Sequence, residues 1–448
     1  MRKQIKNDID NLIALMDEAH KEIGVCEELS VECQNCAITI GTTFENDEEE
    51  DKKINCPCAG SYGHIVSKLE QYCELMYQLH ETFFDENTSQ DVANAIINEI
   101  KTVFGDIKEM IDHIEVRKEV VFLPYNASMW DSLESVYLRY KAEPDYDAYV
   151  IPIPYYDKTP EGKFANMHYE GDRFPCDIPI TDYNAYNLEL RHPDIIYIHN
   201  PYDGTNYVTS VHPFFYSKNI KKFTDKLVYI PYFVLDEPGY PYEGGYENFV
   251  VVPAVIHADT VIVQSEMMRQ VYINTMTKEV GENSRGIWER KILGLGSPKF
   301  DRVKRLRDNP VDMPEDWKQK IYKADGSKKK VILYNTSVVA MLKYRQSMID
   351  KIHSVLEFFK SNTDNVVLLW RPHPLMKQTL ASMRPELLDE YLDIVSRYQE
   401  ADYGIYDTTS DIDRAIAIAD AYYGDASSVV ALCQHAGIPV MIQNTDIL

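Results

Sequence analysis

Apolar residues in the first part of the chain recur at steps of three and four, which is the spacing of one face of an α-helix. The recurrence is clear over 65–83 and 96–114, and two further helical segments lie at about 2–22 and 26–44. We therefore predict that residues 1–115 form a bundle of about four helices. The bundle carries no catalytic grouping, so we expect an interaction, spacer or dimerisation domain and take it as the candidate surface for homo-oligomer formation.

An acidic run at residues 45–51 follows the second of these helical segments. Blocks of like charge repel one another and are usually solvated, so we predict an exposed loop here.

After residue 118 the pattern changes to short β-branched and aliphatic runs that alternate with helical segments, which is typical of βαβ units. A flexible Gly-Leu-Gly-Ser-Pro segment at 294–298 divides this region in two. The predicted fold class is therefore α/β, with two doubly wound, Rossmann-like domains facing a cleft and an all-α bundle before them. The expected boundaries are 116–297 for an acceptor-side domain and 298–448 for a nucleotide-donor-binding domain.

The expected elements follow from the same runs. In the middle domain, strands are predicted at 119–124, 147–153, 194–199, 226–231, 260–264 and 290–294, with helices at 129–141, 248–257 and 265–277. In the C-terminal domain, strands are predicted near 330–334, 365–370, 402–406, 421–424 and 438–442, with helices near 341–361, 384–398, 411–419 and 427–436. Two stretches rich in Pro, Gly and Tyr, 154–182 and 232–247, are expected to be irregular and to form an acceptor-binding rim.

The net charge of −25 disfavours nucleic acid and anionic lipid as partners. An anionic substrate therefore needs a local basic pocket. No apolar run is long enough for a membrane span and no signal-peptide core follows the first residues, so we expect a cytoplasmic protein.

Eight cysteines in 448 residues are too few for a disulfide scaffold. Cys33, Cys36, Cys56, Cys58 and His64 include the residue types of a zinc site, but the second cysteine pair lacks the usual spacer. We interpret the cysteines as buried thiols in a core.

The strand predicted at 365–370 ends at an Arg-Pro-His-Pro segment, which places Arg371 and His373 at its carboxyl end. Open α/β sheets bind ligands at that edge. A guanidinium can make two parallel hydrogen bonds to a phosphate, and a protonated His373 can neutralise charge on a leaving group. The alternative is an ordinary ion pair of the arginine.

Hydroxyls follow two other strands of the same predicted sheet, where helix-start amides also attract anions. We assign these residues, with Arg371, to donor binding: Asn335, Thr336, Ser337, Asp425, Ser427 and Ser428. Thr408 and Thr409 precede a further helix and are either a helix cap or a ribose contact.

The middle domain offers acceptor-side candidates. Asn126 and Ser128 follow its first strand, and Tyr202 and Asp203 follow its third. His199, with Asp203 nearby, or alternatively His212, is the candidate general base, because histidine titrates near neutral pH and a carboxylate can orient its ring. The alternative is a structural histidine bonded to the backbone.

No cofactor and no metal are expected. Neither sheet has Gly-x-Gly-x-x-Gly after its first strand and the chain has no Walker sequence, which disfavours a dehydrogenase or an NTPase. The acidic pairs Asp145/Asp147 and Asp411/Asp413 are interpreted as a turn and a helix cap.

Several segments resemble the CDP-glycerol glycerophosphotransferases of teichoic acid synthesis, which have a GT-B fold. They are the strand at 330–334, Arg-Pro-His-Pro at 371–374 and Asp-Ala-Ser-Ser at 425–428. Leu-Gly-Ser-Pro-Lys-Phe-Asp at 295–301 is similar to the Gly-x-Pro-x-x-Asp turn of that family. The resemblance covers about 118–448 and is strongest after residue 290.

The resemblance implies that His373 and the Ser427/Ser428 pair hold a nucleotide diphosphate. A glycerol phosphate unit would then pass from CDP-glycerol or a related donor to a hydroxyl of a glycan or teichoic-type acceptor, with release of CMP. The resemblance also implies a location at the inner face of the membrane, although the bundle lacks the basic character that favours peripheral attachment. The family's Trp-His-Gly-Thr segment, whose histidine is its base, is replaced here by Tyr-Ile-Pro-Tyr-Phe at 229–233.

Three functions therefore stay open. The first is the glycerophosphotransferase. The second is a nucleotide-sugar glycosyltransferase on the same fold, and the third is a catalytically silent nucleotide-binding scaffold in the synthesis of envelope polymers.

Overall fold

The computed structural model describes residues 1–54, 56, 60–84, 89–159, 161–235, 237, 245–309, 311–409 and 411–443. Cys58 and part of the 232–247 stretch lie outside these residues. The chain forms two compact units. Unit 1 comprises Met1–Tyr125, Tyr137–Ile198 and Asp203–Leu227, and unit 2 comprises Asn126–Val136, His199–Tyr202 and Val228–Leu448.

Unit 1 begins with the helical region that the sequence predicts. Its helices are α1 (Lys3–Ala19), α2 (Glu27–Lys53), α3 (Gly63–Thr82) and α4 (Gln90–Asp112). The apolar positions at steps of three and four, Cys33 among them, pack into one core between these helices. This burial is what holds four amphipathic helices together, since each alone would expose its apolar face.

The acidic run at 45–51 was expected as an exposed loop, and that expectation is wrong. The run lies inside α2, with Asp47, Glu50 and Asp51 buried. Arg2 donates to Asp47 from Nε at 2.9 Å, and Arg191 donates to Asp51 at 3.0 Å. Two arginines therefore neutralise part of the run, which allows it to remain helical and to pack.

The next elements of the chain alternate between strands and helices. In chain order they are β1 (Lys118–Leu123), α5 (Glu134–Ala142), β2 (Tyr146–Val150), β3 (Tyr155–Lys158), β4 (Phe164–His168), α6 (Leu188–Arg191), β5 (Ile195–Ile198), β6 (Thr209–Val211) and α7 (Ser217–Ile220). Strand β1 pairs in parallel with β2 and with β5, and it is buried after its first residue. The helix expected at 129–141 is instead a 3₁₀ helix, Ala127–Ser132, followed by α5.

The stretch 154–182 was expected to be irregular, but part of it forms a small sheet. Strand β3 pairs antiparallel with both β4 and β6. The register shifts between Tyr156 and Lys158. These strands are short, and β6 lies far along the chain, so their pairing leaves no strong alternation in the sequence.

The next elements along the chain are β7 (Lys226–Tyr229), α8 (Glu247–Val250), α9 (Pro253–His257), β8 (Thr260–Ile262), α10 (Glu266–Val280), α11 (Arg285–Lys291) and β9 (Ile292–Leu293). Strand β8 pairs in parallel with β7 and β9. Helix α10 begins where Ser265 accepts a hydrogen bond from the Met268 N–H. The helix expected at 248–257 is two short helices, α8 and α9.

The C-terminal series completes unit 2. It contains α12 (Pro298–Asp308), α13 (Glu315–Ile321), β10 (Lys330–Thr336), α14 (Val338–Tyr344), α15 (Gln346–Lys360), β11 (Val366–Pro372), α16 (Met376–Met383), α17 (Leu388–Ala401), β12 (Ile405–Tyr406), α18 (Ile412–Ile418), β13 (Ala421–Gly424), α19 (Ser428–His435) and β14 (Val440–Ile442). The expected helix at 341–361 is divided at Arg345, whose φ is +50°.

The second sheet is parallel, in the order β12-β11-β10-β13-β14. Strand β11 is almost wholly buried, as a run of Val, Leu and Trp in a sheet covered on both faces should be. Clusters of buried residues pack on both faces of β10 and β11. The α/β fold class, with parallel sheets after a helical N-terminal region, is therefore confirmed.

Within the described ranges, no helix combines the length and the apolarity needed to cross a bilayer. The same part of the chain holds no group of three or more His, Cys, Asp or Glu side chains arranged to bind a metal ion.

Candidate functional site

The carboxyl edge of the second sheet gathers residues that the sequence placed at strand ends. Asn335 of β10 is in register with Arg371 of β11 and with Gly424 of β13. Just beyond β13, Ser427 is the N-cap residue of α19. The side-chain amide of Asn335 donates to the Ser427 hydroxyl at 3.0 Å. Asn335 thus links the middle strand of the sheet to the start of α19.

Gly424 is required at this edge. Its φ is +150°, and a Cβ atom there would lie 2.3 Å from the carbonyl oxygen of Asn335. Any side chain would push β13 away from β10 where Asn335 meets Ser427.

A cavity of about 350 Å³ opens beyond the ends of β11 and β12. Its polar lining consists of Arg371, His373, Lys377, Gln378, Asp407, Thr408 and Thr409, and its apolar and aromatic wall includes Tyr391, Leu392, Val395 and Tyr406. Four of the predicted donor-side residues, Arg371, His373, Thr408 and Thr409, therefore meet at one cavity. Within the described part of the chain, Ser427 is not among its lining residues.

Arg371 is buried and already has partners. Its Nη1 donates to the Asp407 carboxylate, and its Nη2 donates to the Thr409 carbonyl at 2.6 Å. The other oxygen of Asp407 accepts from the Thr409 N–H at 2.9 Å and from the Thr409 hydroxyl at 2.7 Å. The ion pair thus holds the segment after β12 in place, and both threonines lie at the cavity because of it.

His373 is exposed at the cavity, and one of its ring nitrogens is occupied. Nδ1 accepts a hydrogen bond from the Leu375 N–H at 3.2 Å, and this assigns the proton of the neutral ring to Nε2. Partial burial lowers the pKa of His373 from its ordinary value of 6.5. The neutral ring can donate from Nε2 to an anionic oxygen, and such an anion would in turn raise the pKa again.

Three predicted donor ligands instead hold the sheet edge together. The Asp425 carboxylate accepts from the Ser337 N–H at 2.6 Å and from the Lys351 ammonium at 2.8 Å. The Thr336 hydroxyl accepts from the Trp370 indole N–H at 3.2 Å. The Ser337 hydroxyl caps α14. These three groups are buried and bonded to protein, and their assignment to donor binding stays a prediction.

The two hydroxyls at the start of α19 differ in their setting. Ser427 is half-buried and bonded to Asn335, whereas Ser428 is exposed. Ser427 makes no side-chain cap to its own helix, so its hydroxyl is turned to Asn335 instead.

His199 lies in the interior of unit 2. It is 0% exposed, and its Nδ1 lies 2.9 Å from the Ser132 hydroxyl, which itself donates to the Met129 carbonyl. Burial lowers the pKa of His199 to about 3. A fully buried, neutral imidazole is the structural histidine that the sequence left as the alternative.

The other acceptor candidates of unit 2 have local roles. The Asn126 side chain accepts from the N–H and the hydroxyl of Ser128, and so caps the 3₁₀ helix that follows β1. Tyr202 is half-buried, and its N–H donates to the Asn200 side chain at 3.3 Å.

Asp203 and His212 belong to unit 1. The Asp203 carboxylate accepts from the N–H and the hydroxyl of Ser217, with the hydroxyl at 2.6 Å, so it caps α7. Burial raises the pKa of Asp203 above its ordinary value, although the two Ser217 hydrogen bonds oppose this.

His212 is half-buried, and its Nδ1 accepts from the Phe214 N–H at 3.2 Å. His212 thus remains the accessible histidine of the two base candidates.

Sequence reasoning missed several residues of the cavity, among them Asp407, Tyr406 and Lys377. Asp407 directly follows β12, so the strand-end rule that found Arg371 could also have found it. Tyr406 ends the same strand, and Lys377 lies one residue inside α16. A lysine on a surface helix has no distinguishing pattern, and only the folded chain places it at the cavity.

Comparisons with known proteins gave structural matches only. No family model matches the chain, and no curated protein matches it. A UDP-N-acetylglucosamine 2-epimerase aligns over 74% of this chain and 79% of its own, at 13% identity and a TM-score of 0.43. The Neisseria meningitidis UDP-GlcNAc 2-epimerase bound to UDP-GlcNAc aligns over 72% and 82%, at 11% identity and a TM-score of 0.40.

The wall teichoic acid polymerase TagF, soaked with CDPG, is a third structural match. It aligns over 86% of this chain and 79% of its own, at 15% identity and a TM-score of 0.41. At these identities and TM-scores, the matches do not define a family for the chain.

Proposed function

We propose that this protein is a nucleotide-dependent transferase of the GT-B type. In this proposal it moves a glycerol phosphate, or a related polyol phosphate, from a CDP-activated donor to a hydroxyl of a glycan or teichoic-type acceptor and releases CMP. The donor binds to the C-terminal residues 298–448 and the acceptor to the middle residues 116–297. The proposal rests on the motif resemblance and on the chemistry of the cavity beyond β11 and β12.

The cavity supports an anionic ligand by its charge. Among its lining residues, two carry positive charge, Arg371 and Lys377, and one, Asp407, carries negative charge. The balance of +1 stands out in a chain whose net charge is −25. This local basic pocket is the single observation that carries the proposal, because an anionic donor has to bind against the overall field.

The remaining lining suits the other parts of a nucleotide. Tyr406 is half-buried and offers a ring to a base, while the exposed Thr408 hydroxyl can bond a ribose. His373 donates from Nε2 to the diphosphate. The Arg371–Asp407 pair holds the threonine segment at the cavity.

The proposed reaction is a displacement at phosphorus. An acceptor hydroxyl oxygen attacks the phosphorus that bears the glycerol, and the bond from that phosphorus to the bridging oxygen breaks. CMP leaves with the bonding pair, stabilised by His373 and Lys377, and the hydroxyl proton passes to a base. His199 does not suit the role of this base, because it is buried and its pKa is about 3.

A catalytically silent nucleotide-binding protein is the second candidate. It is favoured by the interior position of His199 and by the absence of a histidine at 229–233, where the resembling family carries its base. Such a protein would bind the donor in the same cavity but would not cleave its diphosphate.

Calorimetric titration with CDP-glycerol, CMP, UDP-glucose and GDP-mannose tests the proposal. We expect CDP-glycerol to bind and His373→Ala to weaken it by about tenfold or more, since a hydrogen bond to a charged group contributes about 1.5–3 kcal/mol. His353→Ala, which removes an exposed histidine from α15, is the matched control and should bind normally. Equal weakening by both variants would contradict the assigned site.

Turnover then separates the two candidates. Phosphorus NMR with CDP-glycerol and a glycan acceptor should show CMP in the wild type and a rate about 10²–10³ lower in His373→Ala. Tight binding without CMP release in the wild type would establish the silent protein. Preference for UDP-glucose or GDP-mannose would establish the glycosyltransferase instead.

A further inference from the structure

Unit 1 contains a second cavity, of about 490 Å³, that none of the donor-side residues lines. Its size falls within the range of about 300–1,000 Å³ that small-ligand sites occupy. The lining residues are Pro154, Tyr156, Met167, Tyr183, Asn184, Tyr186, Asn187, Leu188, Glu189, His212, Phe214 and Phe215. The lining combines aromatic rings with amide, carboxylate and imidazole groups.

The small antiparallel sheet builds one wall of this cavity. Tyr156 on β3 and Met167 on β4 are direct cross-strand partners, so their side chains lie side by side on one face. The Tyr156 ring stacks on Phe164 at 5.0 Å between centroids and 15° between planes. The stacking fixes the Tyr156 ring, while Met167 stays 56% exposed.

The segment after β6 contributes His212, Phe214 and Phe215 to the lining. The His212 N–H donates to the Pro154 carbonyl at 2.9 Å, which ties this segment to the start of β3. The His212 ring lies 6.0 Å from Tyr156, with Nδ1 held by the Phe214 N–H. Phe214 remains 37% exposed, so an apolar ring borders a histidine whose Nε2 is left for other contacts.

We propose that this cavity binds an uncharged pyranose unit of a saccharide. The apolar face of a sugar ring packs against aromatic rings such as Tyr183 and Phe214, and its hydroxyls pair with amide and carboxylate groups such as Asn184 and Glu189. A sugar needs both aromatic rings and polar groups, whereas a wholly apolar ligand would leave the polar groups unpaired.

The charge of the lining disfavours a polyanion. Among the described lining residues, Glu189 is the acidic one and no lysine or arginine is present. A phosphate chain would meet a carboxylate without a compensating cation, in a protein of net charge −25. The inference deepens the proposed function, on which it rests for the acceptor role: the acceptor is a neutral sugar and not a chain of polyol phosphates.

Saccharide binding can be measured without any donor. The test uses protein with ¹³C-labelled methionine methyl groups, titrated with N,N′-diacetylchitobiose, maltose and glycerol 3-phosphate. We expect one of the two saccharides to shift the Met167 methyl signal, assigned by Met167→Leu, and to leave the signal of the exposed Met383 unchanged. Glycerol 3-phosphate should shift neither signal.

Variants add a second measurement. Phe214→Ala should weaken the binding of that saccharide by about tenfold or more, since aromatic packing is lost. The matched control Tyr207→Ala removes an aromatic ring that is 93% exposed and does not line the cavity, so it should bind normally. If Phe214→Ala unfolds the protein, the methyl titration of the wild type still shows whether the cavity binds a saccharide.

No Met167 shift with either saccharide, or a shift with glycerol 3-phosphate alone, would overturn the inference. Failure of the proposed function is seen separately, in the calorimetry with CDP-glycerol. Phe214→Ala should bind CDP-glycerol as the wild type does, so the two results are independent.

Discussion

Arg371 shows how a residue at a strand end can serve a site through its neighbours. Its side chain is 8% exposed and that of Asp407 is 0% exposed, so the pair is removed from water. Removing one partner of a buried ion pair leaves the other charge uncompensated, which costs about 3–5 kcal/mol. The ordering of Thr409 depends on the same pair.

We therefore expect Arg371→Ala to lower the free energy of unfolding by about 3–5 kcal/mol, measured from urea titrations. The double variant Arg371→Met/Asp407→Leu should recover most of this loss, because it removes both charges. Arg397→Ala breaks a helical ion pair whose arginine is 69% exposed, and it should cost under about 0.5 kcal/mol. Equal losses for Arg371→Ala and Arg397→Ala would contradict the burial argument.

The protonation of His373 should make the affinity for CDP-glycerol depend on pH. Burial holds its pKa below 6.5 in the free protein, and a bound diphosphate would raise it. Binding then takes up a proton, so the affinity for CDP-glycerol should rise as the pH falls through the bound-state pKa, and level off below the free-state pKa. The diphosphate of CDP-glycerol is a diester with no ionisation of its own in this range.

Calorimetry between pH 5 and 8 measures this slope, and His373→Gln is its control. The glutamine variant can donate a hydrogen bond but cannot titrate, so its affinity should change little with pH. A slope that persists in His373→Gln would assign the proton to another group.

The fold destabilises the charged form of the Asp413 carboxylate. It is 3% exposed, its Oδ2 lies 3.0 Å from Arg302, and Arg302 also reaches Glu134. The nearby Lys299 pairs with Asp131, on the segment that follows β1. Burial and the neighbouring Asp131 carboxylate raise the pKa of Asp413 to about 7, although Lys299 and Arg302 oppose them.

The sign follows from proton counts. Between pH 4 and 7 the folded state holds more protons at Asp413 than the unfolded state, so the free energy of unfolding falls as the pH rises, by up to about 1.4 kcal/mol per pH unit. Asp413→Asn should flatten this part of the curve, measured by urea unfolding at several pH values. Asp393→Asn, on an exposed pair, should leave it unchanged.

At the scale of elements, the close approach of β13 to β10 depends on one glycine. Gly424→Ala forces a Cβ within 2.3 Å of a carbonyl oxygen at a φ of +150°. We expect the free energy of unfolding to fall by about 1–3 kcal/mol, the cost of one such backbone strain. Because α19 follows directly, any displacement of β13 also moves Ser427.

Gly105→Ala is the control for this prediction. Gly105 lies in α4, and a Cβ there meets nothing within 4 Å. Alanine in a helix interior is about 1 kcal/mol more favourable than glycine, so this variant should be more stable than the wild type. Thermal midpoints of the two variants should therefore move in opposite directions.

The elements that the sequence predicts well are those whose burial is continuous along the chain. The apolar run that becomes β11 is visible because both faces of a parallel strand are covered. The small antiparallel sheet is not visible in this way, because β3, β4 and β6 are short and half of their pairing is with a distant segment. Local pattern cannot report a partner that lies elsewhere in the sequence.

The same limit applies to charge. Arg2 binds Asp47 from 45 positions away, and Arg191 binds Asp51 from 140 positions away. Arg371 and Asp407 are 36 positions apart. Sequence reasoning could not tell which charges neutralise one another. It therefore took the acidic run for a loop, and it left the ion pair of Arg371 as an alternative without naming Asp407 as the partner.

At the scale of the whole molecule, the bundle is not a separate compact unit. Unit 1 contains the four N-terminal helices together with β1, β2 and β5. The link is Arg191, which is 2% exposed and donates both to Asp51 of α2 and to Glu119 of β1. The boundary predicted at residue 115 stays a prediction, and this buried network gives it a test.

If the network couples the bundle to the strands, Arg191→Ala should reduce hydrogen-exchange protection in α2 and in β1 together, by about 3–5 kcal/mol. Protection in β10, in unit 2, should change less. Arg173→Ala removes an arginine that is 70% exposed from its pair with Glu170, and it should leave both α2 and β1 protected. Loss of protection in β1 alone would mean that the bundle opens independently. The bundle and the strands would then be distinct domains despite their shared ion pairs. An ion-pair network couples the unfolding of two parts only if its loss lowers the protection of both.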